Sequence, residues 1–167
     1  MTLVDLLFRK PQPKKKYAKL LHVYISRKHS EIIFAPMNRE IKIPLYFEQE
    51  LCEVIDFENT PEIIGESLIR NFDKFELKER KNIHNKKTDW PAFKASKEKT
   101  IKGFETNYSL FKIKGANEHN IALIIESVFN LPSQIELTTT ISYPCDSSEL
   151  GHRLLRIYNS YVSKKVE

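Results

Sequence analysis

Two stretches carry apolar residues at helical spacing, and each comes after a run of short segments rich in β-branched and aromatic side chains. In the first, Ile64, Leu68, Phe72 and Phe75 recur every three or four residues, which puts them on one face of a helix. Thr60 can cap the free backbone N–H groups there, Pro61 fits a first turn that needs no N–H, and Glu62 suits the positive end of the helix dipole. In the second, Leu150, Leu154, Ile157, Tyr158 and Tyr161 form the stripe, and Asp146 followed by Glu149 resembles a capping box. One apolar stripe per helix calls for a second layer to pack on.

That layer reads as a sheet. Residues 20–25 (LLHVYI) and 31–34 (EIIF) are neighbouring strands, joined by the polar stretch 26–30 at hairpin length. Residues 41–43 extend the sheet until Pro44 stops it, and the charged residues 76–88 read as a loop. From Ile101 the pattern turns to strands. Tyr108, Leu110, Phe111 and Ile113 share one that Gly115 ends, and residues 117–120 make a polar turn. The run 121–125 (IALII) is too short for its period to choose between helix and strand. A further turn falls at Leu131-Pro132-Ser133, and residues 135–143 alternate as a half-exposed strand does. Strands in runs with helices between them predict an α+β fold, with helices packed on a mainly antiparallel sheet. At 167 residues the chain suits one domain spanning 1–167.

Charge is distributed in blocks. Residues 1–42 hold ten lysines and arginines against three acids, and residues 70–102 hold eleven against five. Between them, residues 43–69 hold seven acids (Glu48, Glu50, Glu53, Asp56, Glu58, Glu62 and Glu66) and no base. The N-terminus places Asp5 inside its apolar opening and has no basic leader, and nowhere do about 18 apolar residues run together. These features predict a cytoplasmic protein with no membrane partner. Cys52 and Cys145, without a CxxC pair, read as reduced thiols.

Motifs for catalysis are absent from the sequence. Four scattered glycines make no phosphate loop, and no HExxH, GxSxG or DxDxDG pattern occurs. The histidines lie far apart, and Glu118-His119-Asn120 reads as a turn beside Gly115 and Asn117. Cys145 precedes a helix that could activate it, but the adjacent Asp146 opposes that shift. The expectation is no catalytic residue, no metal site and no cofactor. Lys14-Lys15-Lys16 and the lysines of 78–87 read as solvated loops, with basic RNA or DNA binding as the alternative. The base-free stretch predicts a surface that attracts a basic protein. Its candidate contact residues are Glu48, Glu50, Glu53, Asp56 and Glu58 for charge, with Tyr46 and Phe57 as aromatic anchors.

Residues 90–96 (WPAFKAS), 99–105 (KTIKGFE) and 114–120 (KGANEHN) resemble the immunity proteins of bacterial contact-dependent growth inhibition (CDI), the CdiI family. The closing strand and helix agree with that family's ending, while the N-terminal half resembles it mainly in order and length. The resemblance implies a non-enzymatic cytoplasmic protein. Its partner would be the toxic C-terminal domain of a cognate CDI effector, commonly a nuclease, held with its active site occluded.

Overall fold

The computed structural model describes residues 18–79, 89–126 and 136–165. Eight strands are found there: β1 (Leu20–Ser26), β2 (Glu31–Glu40), β3 (Tyr46–Glu48), β4 (Glu53–Asp56), β5 (Glu76–Lys78), β6 (Ser109–Gly115), β7 (Asn120–Glu126) and β8 (Glu136–Ser142). Four helices accompany them: α1 (Pro61–Asp73), α2 (Pro91–Ala95), α3 (Ile101–Asn107) and α4 (Ser147–Lys165). The main path of the sheet is β3-β2-β1-β6-β7-β8, and β4 and β5 also pair with β2. All these pairings are antiparallel except the parallel β2–β5. The architecture is α+β.

Alternation along the strands gives the sheet two different faces. Leu21, Val23 and Ile25 of β1, Ile32 and Phe34 of β2, and Phe111 and Ile113 of β6 bury one face under α1 and α4. The helical stripes complete it: Ile64, Leu68 and Phe72 from α1, and Leu150, Leu154, Ile157, Tyr158 and Tyr161 from α4. Each fully buried Leu, Ile or Phe contributes roughly 1.5–3 kcal/mol relative to exposure. Capping follows the sequence signals. Thr60 accepts from the Ile63 N–H at α1, and at α4 the Glu149 N–H donates to Asp146 Oδ1 at 2.9 Å. Phe75 departs from the expected stripe, because α1 ends at Asp73 and the Phe75 ring instead lies 6.2 Å from that of Tyr46.

The two long helices touch backbone to backbone. A Cβ added at Gly65 would collide with the carbonyl of Ser147, and one added at Gly151 with the carbonyl of Pro61. Each helix therefore seats a glycine against the other's first turn.

The second face carries a smaller aromatic core. Tyr24, Ile33, Ala35, Ala92, Phe104 and Tyr108 are buried there, with Cys52, Trp90, Phe93 and Leu110 packed around them. Trp90 meets Phe104 edge-on at 4.9 Å between ring centres, and Tyr24 at 5.8 Å.

Several local expectations need correction. Strands were expected from Ile101, yet Ile101–Asn107 is a helix. Thr100 caps it, accepting from the Gly103 N–H at 3.0 Å. Only Phe104 of its seven residues is buried, so no apolar stripe announces it. Residues 41–43 do not extend the sheet. β2 ends at Glu40, and Ile41 and Ile43 are exposed in the connection to β3. The expected loop begins instead with the three-residue β5, and the ambiguous 121–125 is strand. The turn at 131–133 and the lysines at 14–16 and 80–87 lie outside the described residues.

Candidate partner-binding surface

The base-free stretch occupies one border of the sheet. β3 pairs with the second half of β2 through Met37↔Glu48, and β4 with its first half through Ile33↔Val54. The connection between them is fixed where the Gln49 N–H donates to the Pro36 carbonyl at 2.8 Å. Beyond β4, Asp56 organises the turn into α1. Its Oδ1 accepts from the Glu58 N–H at 2.8 Å and from Ser30 Oγ at 3.1 Å, and these bonds hold its carboxyl below the usual range.

The structure separates the seven candidate contact residues into two groups. Glu50, Asp56 and Glu58 are exposed, as are Glu62 and Glu66 on the outer side of α1. The other four are engaged within the fold. Glu48 has a side chain only 5% exposed, turned into the second-face core. Its Oε1 accepts from Tyr24 Oη at 2.6 Å and lies 3.3 Å from His22 Nδ1, while its Oε2 accepts from the Ala92 N–H at 3.1 Å. Burial alone would raise the Glu48 pKa. Hydrogen bonds from His22, Tyr24 and Trp90 outweigh it, and the carboxyl sits below its ordinary value. Trp90 offers α2 no side-chain cap, so Glu48 serves that helix N-terminus from across the sheet.

Glu53 is half-buried and held by α1. Arg70 binds it through both Nε and Nη2, and Asn71 Nδ2 donates at 2.7 Å. Burial pushes its carboxyl up, but those bonds bring it below the usual range. Tyr46 donates to the Ala18 carbonyl at 3.1 Å. Phe57 packs on the first core, edge-on to Tyr158 at 5.7 Å and under the Arg27 guanidinium.

Two residues at this border were not anticipated. Leu51 is 85% exposed, the highest value among the described large hydrophobics, and Val54 is 42% exposed. Apolar residues between acids read as core in a sequence, and only the fold, with Leu51 in the β3–β4 connection and Val54 on the border strand, reveals them as surface.

Elsewhere, a cleft of about 750 Å³ opens between the start of β1, the β6–β7 turn and Tyr143-Pro144. Its walls include Phe72, Ile121 and Tyr143, and Lys19 and Asp73 form an ion pair beside it at 2.8 Å. Burial and the neighbouring Asp73 raise the Tyr143 hydroxyl, so it stays protonated.

Among the described residues no group of three His, Cys, Asp or Glu could hold a metal ion, and no helix is long and apolar enough to cross a membrane. His119 sits in the turn expected for it, its N–H bonded to Asn117 Oδ1 at 2.9 Å. The Cys145 thiol is raised by burial and then by Asp146 and Glu149. Burial, then Glu48, pushes Cys52 up to about 12. Cys52 should therefore react with iodoacetamide at pH 8 far more slowly in the folded chain than in urea. Equal rates in the two states would show that the thiol is open to solvent.

Two solved structures share this architecture. A protein of unknown function from Neisseria meningitidis aligns over 90% of this chain and 99% of its own, with a TM-score of 0.63 and 10% identity. A chain of the CdiA-CT/CdiI toxin and immunity complex from Yersinia pseudotuberculosis aligns over 87% of this chain and 97% of its own, with a TM-score of 0.59 and 12% identity. The fold is shared. No family model and no curated protein matches the sequence. At these identities the likeness concerns the path of the backbone and carries no side-chain role across.

Proposed function

We propose that this chain is an immunity protein. It binds the toxic C-terminal domain of a cognate contact-dependent growth inhibition effector and neutralises it without catalysing a reaction. The observation that carries this reading is the likeness to a chain of a toxin and immunity complex over 87% of the sequence. It agrees with the resemblance of residues 90–120 to CdiI proteins, which rests on side chains and not on backbone path.

The mechanism is occlusion, across an interface of roughly 1,200–2,000 Å² in total. The exposed carboxylates Glu50, Asp56 and Glu58 favour a toxin with a basic cleft, as a nuclease has, and steer it by long-range attraction. Glu48, Glu53, Tyr46 and Phe57 support that surface from beneath. Action on a toxin delivered into the cell places the protein in the cytoplasm.

Co-expression tests the reading. Bacteria expressing the toxic C-terminal domain of the cognate effector should grow when the chain is present and stop when it is absent. The two should also co-purify. Growth arrest despite abundant folded chain would refute the proposal.

A further inference from the structure

We infer that Leu51 and Val54 are the apolar anchors by which the β4 border grips a basic protein partner, with Glu50, Asp56 and Glu58 as the charged rim. The inference rests on the immunity reading and says which side chains hold the toxin.

Seven large hydrophobics are exposed among the described residues, and they fall into groups with different electrostatic surroundings. Ile41, Ile43, Leu45 and Leu77 gather where β2 ends and β5 pairs with it, since Arg39 stands opposite Leu77 and Glu40 bonds to Leu45. That group neutralises its own charge, with Lys42 paired to Glu79 and Lys78 lying 3.8 Å from Glu76. Leu51 and Val54 differ. They lie three residues apart, within roughly 11 Å along the chain, with Glu50, Glu53 and Asp56 as their acidic neighbours. Ile43 and Leu45 open the same base-free stretch but follow directly on Lys42, and the seventh, Ile63, lies in it on α1.

Among the described residues, the bases near this border have other partners. Arg70 is bound to Glu53, Arg27 to Asn159 Oδ1 at 2.6 Å and over the Phe57 ring, Lys74 to Asn71 Oδ1 at 2.9 Å, and Lys97 to Glu31 at 3.2 Å and to the His29 carbonyl at 2.8 Å. No ion pair among the described residues reaches Glu50, Asp56 or Glu58. Lys97 favours the Asp56 carboxylate only at longer range, so the rim keeps a net negative charge that a partner can neutralise. Exposed aliphatic side chains within a rim of one sign have the anatomy of an interface core, and the sign calls for a basic protein and repels nucleic acid. The aromatic candidates Tyr46 and Phe57 are engaged inside the fold, so the anchoring role passes to the residues that face out.

The two contributions separate in kinetics. Binding of the full chain to the catalytically inactivated toxin domain would be followed at low and high salt. The double variant Leu51→Ser, Val54→Thr should dissociate about tenfold faster or more, with its association rate and salt dependence retained. The double variant Glu50→Gln, Glu58→Gln should associate more slowly at low salt and lose most of its salt dependence. Leu77→Ser, off the acidic border, should behave as the parent. Both anchor positions are exposed, so an unchanged thermal melt is expected and would confirm folding. A double anchor variant that dissociates at the parent rate, or a Leu77→Ser variant equally impaired, overturns the assignment while leaving the immunity reading standing. A parent chain that does not bind the toxin overturns both.

Discussion

Replacing Gly151 with alanine is expected to destabilise the fold by about 3 kcal/mol or more, with Gly65→Ala costing a similar amount. The added methyl group has nowhere to go. At Gly151 it meets the Pro61 carbonyl and at Gly65 the Ser147 carbonyl, both backbone atoms in the first turns of capped helices. A flexible side chain could swing aside, but here one whole helix must move off the other. Such a shift would disturb the stripe of Leu150, Leu154, Ile64 and Leu68 that closes the first face. Alanine's better helix propensity, worth about 1 kcal/mol, works in the opposite direction and is too small to compensate. Urea unfolding followed by circular dichroism would measure the loss. A midpoint within error of the parent for both variants would show that the helices do not pack this closely.

The second large effect is expected at Glu48. Glu48→Ala should cost about 3 kcal/mol, because it strands the Tyr24 hydroxyl and the Ala92 N–H in a buried site. Glu48→Gln keeps the shape and one acceptor, and should cost less. The chain has a single tryptophan, Trp90, and it packs in this same core. Its fluorescence should therefore report the loosening of the second face in Glu48→Ala directly. The pH dependence has a defined sign. The folded pKa of Glu48 lies below its unfolded value, since the hydrogen bonds it accepts outweigh burial. Its contribution is complete above the ordinary carboxylate range and is lost in acid, below about pH 4, as the pH falls through the folded value. In Glu48→Ala that part of the acid sensitivity should vanish. An unaltered acid profile would mean that Glu48 gains nothing from its buried partners.

Glu48 also illustrates what a sequence can and cannot disclose. Its place in a run without bases makes it look like surface. Whether a carboxylate faces water or a helix N-terminus depends on the pairing of β3 with β2 and on α2, which arrives 44 positions later in the chain. The elements that declared themselves did so through local chemistry. Thr60, Pro61 and Asp146 mark helix starts that need only neighbouring residues to work, and the stripes of α1 and α4 follow from periodicity alone. α3 has a local cap in Thr100 but no apolar stripe beyond Phe104, and the short strands β3, β4 and β5 depend on pairing with the distant β2. The exposed part of the border, Glu50, Asp56 and Glu58, was legible as charge. Its apolar centre was not, because Leu51 and Val54 resemble core residues until the fold leaves Leu51 in the β3–β4 connection and Val54 on the border strand β4, both uncovered.

β2 serves more neighbours than any other described strand. Residues 31–36 of it pair with β1, Glu31–Phe34 with β4, and its last residues with β3 and β5. Losing or gaining one residue there would exchange Ile32 and Phe34 with Ile33 and Ala35 between the two cores at once. Drift in length during evolution must therefore bypass this strand. The connection formed by residues 41–45, with its solvent-facing side chains, can lengthen or shorten freely, and homologues of different size should differ there first.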